Sequence, residues 1–125
     1  IEEVLAWLNE QRYQLYIATN KRYEPTMAVI EHLSLAKYFT DIGAVDQLPL
    51  GKQKKSLLIQ RLVKEHNIEE KEALYIGDKL DDYQAATFNS MPFVAAGWGY
   101  GDWESSNTVF HSPLQLLHFI SNYNG

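Results

Sequence analysis

Residues 74–86, LYIGDKLDDYQAA, pass from an apolar, β-prone run into a glycine and then into three carboxylates, Asp78, Asp81 and Asp82. A short apolar run that stops at Gly77-Asp78 reads as a buried strand, and the residues from about Asp81 onward read as the start of a helix. Asp78 then projects from the strand end, and Asp81 and Asp82 from the first helical turn. Three carboxylates at a strand's carboxyl end suit a divalent cation that takes oxygen ligands, Mg²⁺ above all. The same two helix-start carboxylates also satisfy capping and the helix dipole with no metal present, so both readings stand at this point.

Working outward, the rest of the chain alternates in the same way. Val4, Leu5 and Leu8 recur at helical spacing, and the period changes at Leu15 to Thr19, a β-prone run. Met27, Ile30 and Leu33 mark a second helix after Pro25-Thr26, and Ile42 to Val45 a second strand ending at Asp46. Leu58 and Leu62 mark a third helix that ends near Asn67, ahead of the strand Ala73 to Ile76. Phe93 to Ala96 and Val109-Phe110 read as further strands, Gly97 to Asn107 as a loop, and Ser112-Pro113 as the capped start of a last helix. Strands alternating with helices imply an α/β fold, a parallel sheet flanked by helices, over a single domain at residues 1–125. In such sheets ligands gather beyond the carboxyl ends of the strands.

Two more polar groups fall on that edge. Thr19-Asn20-Lys21 closes the first strand with a hydroxyl and an amide able to donate to a phosphoryl oxygen, or simply to build a strand-to-helix turn. Lys52, Lys54 and Lys55, in GKQKKS, precede a helix and either neutralise phosphate charge or lie on the surface. Asp46, at the end of the second strand, assists electrostatically or serves a turn. His32, His66, His111 and His118 share no ligand spacing and read as packing or surface residues.

Composition narrows the function classes. A net charge of −5 with 11 Lys plus Arg spread thinly gives no footprint for nucleic acid. Without cysteine there is no disulfide, thiolate zinc site or thiol nucleophile, so a metal must be held by oxygen or imidazole. No apolar run approaches the roughly 20 residues needed to cross a bilayer, and the first residues lack the pattern of a signal peptide. The expectation is a soluble, cytoplasmic protein without membrane partners.

In this order and spacing, LYIATNKRYEPT, GKQKKSLL and YIGDKLDDYQAA, followed by AGWGYG, resemble successive motifs of the haloacid dehalogenase superfamily, in its phosphoglycolate-phosphatase-like branch. The resemblance spans nearly the whole chain. It implies a Rossmann-like parallel sheet and Mg²⁺-dependent hydrolysis of a small phosphorylated metabolite. It also implies that Thr19 binds the phosphoryl group with Asn20 and Lys21 beside it, that Lys52 or Lys54 stabilises the phosphorylated intermediate, and that Asp78 and Asp82 position the metal. Trp98 and Tyr100 fall in the loop that follows the next strand; they line the substrate entrance or pack over the sheet edge.

The sequence departs from the family pattern in three places. The third motif lacks its Pro-x-Pro segment, which leaves Lys52 and Lys54 as alternatives, with Lys54 favoured. Lys79 stands where a small hydroxyl residue is common. The first motif, an Asp-x-Asp-x-Thr strand end carrying the nucleophile and general acid, is absent, as is the cap that follows it. Phosphoryl transfer through an aspartyl phosphate needs that carboxylate, so these residues alone are expected not to turn over. The first strand is central in the family sheet, and without it the strands ending at Thr19 and Asp78 each lose a partner. Strand exchange between chains, or direct pairing of those two strands, would supply a substitute. The alternatives to part of a longer phosphatase are a non-catalytic phosphate- or metal-binding regulatory module and, further off, a receiver-like phosphoacceptor domain.

Overall fold

The computed structural model describes residues 2–77, 79–96 and 109–110. Asp78, the Trp98 and Tyr100 loop and the helix expected after Ser112-Pro113 lie outside the described residues. The chain divides into two compact units, Ile1–Leu58 and Ile59–Gly125. No helix among the described residues is long and apolar enough to cross a membrane.

The first unit contains α1 (Glu2–Glu10), β1 (Tyr16–Thr19), α2 (Tyr23–His32) and β2 (Asp41–Ala44), with 3₁₀ turns at Ala36–Tyr38 and Val45–Gln47. β1 and β2 run parallel, in register from Tyr16 opposite Asp41 to Thr19 opposite Ala44. A parallel pair needs a crossover, and α2 supplies it. Val4 and Leu8, one turn apart on α1, are buried, as are Ile42, Ala44 and Leu48. Each large apolar side chain so buried contributes about 1.5–3 kcal/mol before entropy is counted.

Several boundaries differ by one or two residues from the sequence expectation, two of them for identifiable reasons. β2 stops at Ala44 rather than Val45, because the Gln47 side-chain oxygen accepts the Ala44 N–H at 2.9 Å and turns the chain into the 3₁₀ segment. α2 begins at Tyr23, ahead of Pro25, because proline is tolerated in a first turn where its missing N–H has no helical partner anyway.

α3 (Lys55–Glu65) carries the division between the units, and the second unit continues with a 3₁₀ turn at Glu70–Glu72, β3 (Tyr75–Gly77), α4 (Leu80–Phe88), β4 (Phe93–Ala96) and β5 (Val109–Phe110). β3 pairs with β4 in parallel from Tyr75 opposite Phe93 to Gly77 opposite Ala95, and β4 pairs with β5 in parallel. Ala85 and Ala86 on α4 are buried with Val94 and Ala95 on β4. Small side chains on both elements permit close helix-to-sheet packing. Tyr75 stacks on Phe93 at 6.1 Å between ring centroids, and Tyr83 meets Phe93 edge-on at 5.5 Å.

One device ends several helices. Arg12, Ser34, Asn67 and Ser90 have φ between 51° and 67°, each two residues past the end of α1, α2, α3 or α4. After α1, the Tyr13 N–H reaches the Leu8 carbonyl at 3.0 Å and the Arg12 N–H reaches Asn9 at 2.9 Å; Leu35 with Ser34 and Met91 with Ser90 repeat the pattern. This is the Schellman arrangement, built here without glycine, with an apolar residue next in each case.

The two sheets end on the strands expected to lose a partner. β1 has β2 as its described partner, and β3 has β4.

Candidate functional site

Thr19 is the last residue of β1 and half-buried. Its Oγ1 accepts the Lys21 N–H at 3.1 Å, which bends the chain sharply away from the strand. A hydroxyl used as an acceptor in this way keeps its proton to donate, the direction a phosphoryl oxygen requires. Asn20 and Lys21 follow on the exposed part of the turn.

Asp46 fixes the other side of this turn. Arg22, in the N-cap position of α2, makes no side-chain cap; instead Asp46 Oδ1 accepts the Tyr23 N–H at 2.9 Å. The carboxylate thus sits at the positive end of the helix dipole. Arg22 Nε stands 3.9 Å from Asp46 Oδ2, an exposed pairing that adds little by itself. Asp46 therefore serves as a helix cap contributed from the 3₁₀ turn that follows β2.

The lysine segment is a built turn. The Lys52 N–H donates to Pro49 at 3.0 Å, and Gly51 between them has φ of 85°, the conformation required at the third position of a type II turn. Gln53 Nε2 donates to the Leu48 carbonyl at 3.0 Å, and the Lys54 carbonyl accepts from both Leu57 and Leu58 as α3 begins. Lys52 and Lys54 are both exposed, and Lys54 stands immediately before the first helical residue. Thr19, Asn20, Lys21, Lys52 and Lys54 all belong to the first unit.

Asp82 belongs to the second unit, and its surroundings are unlike those of a surface carboxylate. It is 4% exposed. Oδ1 accepts the Tyr75 hydroxyl at 3.1 Å, and Oδ2 accepts the Lys79 N–H at 3.2 Å. The second bond is half of a capping box, in which the third helical residue reaches back to the N-cap amide. Gly77 makes room for it, since a Cβ there would stand 2.7 Å from Asp82 Cγ. Lys79 itself is exposed, in the N-cap position of α4.

The model of haloacid dehalogenase-like hydrolases matches residues 1–96. The chain belongs to the haloacid dehalogenase-like hydrolase family. It is similar to the phosphoglycolate phosphatase of Nitrosococcus oceani, at 31% identity over 97% of this chain and 56% of that protein. The phosphoglycolate phosphatase of Rhodobacter capsulatus is 35% identical over 74% of this chain and 41% of its own length. The crystal structure of a predicted phosphatase from Clostridium acetobutylicum matches with a TM-score of 0.87 at 27% identity, covering 98% of this chain and 59% of that one. The chain spans about half the length of the curated relatives it matches. Membership in the haloacid dehalogenase-like family sets aside the receiver-like reading and accounts for the parallel α/β architecture.

One contributor to these strand ends, and the partner of another, escaped the sequence. Tyr75 lies two residues before Gly77 and so shares its face of β3, a relation that the strand period carries, but nothing in the residue type announced a hydrogen bond to Asp82. Asp46 was legible as a strand-end carboxylate, while its partner, an amide 23 residues earlier, was not.

Proposed function

We propose that this chain is the core portion of a cytoplasmic, Mg²⁺-dependent phosphomonoester hydrolase of the phosphoglycolate-phosphatase type, acting on a small phosphorylated metabolite. The observation that carries this reading is positional. Thr19 is the last residue of β1, Lys54 immediately precedes α3, Gly77 ends β3, and Asp82 lies in the first turn of α4. These are the places where an α/β fold presents ligand-binding groups. Similarity to phosphoglycolate phosphatases supports the substrate class.

The donors fit Mg²⁺ in kind. Asp82 is a buried carboxylate whose orientation is set by two described hydrogen bonds, and Mg²⁺ takes hard oxygen ligands, commonly one or two carboxylates with the remainder from water and phosphate. In this proposal Asp78 and Asp82 hold the ion, which neutralises charge on the phosphoryl group when bound. Thr19, Asn20 and Lys21 donate to phosphoryl oxygens and Lys54, or Lys52, supplies a cation, the roles that the family resemblance implies for each. Because no Asp-x-Asp-x-Thr segment occurs in these 125 residues, the chain alone binds without hydrolysing.

The test is a paired measurement on the purified chain. Titration with Mn²⁺ as a spectroscopic substitute for Mg²⁺ should show a weak site lost on Asp78→Asn. Incubation with 2-phosphoglycolate and with a chromogenic phosphomonoester, each with Mg²⁺, should release no phosphate. Metal-dependent turnover would overturn the inactivity of these residues. Failure of Mn²⁺ to bind at all would overturn the metal assignment. A non-catalytic regulatory module is the second reading; binding of metal and phosphate without turnover by a naturally 125-residue protein would establish it.

A further inference from the structure

We infer that Tyr75 is a positioning residue for the metal loop, acting through Asp82; the inference rests on the Mg²⁺ reading above. Position 78 has Gly77 on one side and Lys79 on the other, and the Asp82 side chain engages both. Its Oδ2 accepts the Lys79 N–H at 3.2 Å, and it fills the space that a side chain on residue 77 would take. A carboxylate in this position has a rotational freedom that one hydrogen bond does not remove. The second anchor is the Tyr75 hydroxyl on Oδ1 at 3.1 Å.

Tyr75 is itself held. Its ring stacks on Phe93 at 6.1 Å, its N–H donates to the Pro92 carbonyl at 2.9 Å, and it pairs with Phe93 across the β3–β4 ladder. The hydroxyl is therefore presented from a fixed backbone and a stacked ring. Anchored in this way, the Asp82 carboxylate is pre-oriented, with the Lys79 amide bonded to it and Gly77 leaving it room. The same bond adds a donor to a ligating carboxylate, the role that outer partners of metal ligands play.

Tyr75→Phe removes the hydroxyl and keeps the ring. On the full chain, Mn²⁺ affinity followed by electron paramagnetic resonance should fall about tenfold. Tyr83→Phe, which alters a neighbouring aromatic that meets Phe93 edge-on, should leave that affinity unchanged. In metal-free protein, hydrogen exchange at the Lys79 amide should accelerate in Tyr75→Phe and not in Tyr83→Phe. Wild-type binding of Mn²⁺ matched by Tyr75→Phe would overturn the role of Tyr75 alone and leave the metal site standing. Absence of binding in the wild type would overturn both. Loss of the fold in Tyr75→Phe would assign the hydroxyl to stability and overturn the positioning role.

Discussion

Gly77 and Asp82 compete for one volume: a Cβ placed on Gly77 falls 2.7 Å from Asp82 Cγ and 2.8 Å from its Oδ2. Gly77 is not among the residues with positive φ, so the glycine is required by this approach and not by backbone conformation. Gly77→Ala must push a buried carboxylate off its two described hydrogen bonds. Urea unfolding should show a loss of about 1–3 kcal/mol, the usual cost of forcing extra volume into a packed site.

That relationship also marks the limit of what the sequence disclosed. The alternation of elements was readable because helical and strand periods differ, and the strand-end location of Thr19 and of the acidic loop followed from it. The two readings of Asp82, ligand or helix-start residue, were both open, and the structure shows the second realised through Lys79. Contacts between residues distant in sequence were not readable, since neither Asp46 nor Tyr75 carries a periodic signal for its partner. The start of α2 at Tyr23, which proline's tolerance in a first turn permits, is supported by such a contact, the Tyr23 amide being satisfied by Asp46 from the 3₁₀ turn after β2.

Asp46 should behave as a helix cap. Asp46→Ala leaves the Tyr23 amide without its 2.9 Å acceptor and is expected to cost about 1 kcal/mol, as cap removal does elsewhere. Asp46→Asn keeps an acceptor oxygen and should recover most of that loss. Arg22→Ala, which removes only the exposed 3.9 Å pairing, should change stability by no more than about 0.5 kcal/mol. Denaturant midpoints for the three variants would order them, and equal losses for Asn and Ala would refute the capping role.

Ser34 and Ser90 hold φ of 58° and 55° just past α2 and α4, where a Cβ is a steric burden. Ser34→Gly and Ser90→Gly relieve it while keeping the backbone hydrogen bonds of the motif. Glycine's greater entropy in the unfolded chain offsets part of the gain, so each substitution should stabilise by about 0.5 kcal/mol. Both residues are exposed, and their effects should add in the double variant. Thermal melts reporting a lower midpoint for either would show that the serine side chain contributes something the backbone geometry does not.

Tyr16 predicts how the first unit responds to alkali. Burial raises its pKa above the ordinary value of 10.0, the Asp41 charge raises it further, and a hydrogen bond with Thr40 opposes the shift. Tyrosine is neutral when protonated, so a raised folded-state value means that the unfolded chain loses its proton first. The stability associated with this group is therefore complete below pH 10.0 and is lost as pH rises from there through the raised folded value. Tyr16→Phe cannot ionise, and its stability should fall less steeply than that of the wild type over the same interval. Asp41→Asn removes one of the two raising causes and should bring the tyrosinate absorbance of Tyr16, taken as a difference against Tyr16→Phe, to lower pH. If that difference titrates at the ordinary tyrosine value in the native protein, the half-buried environment assigned to the start of β1 is wrong.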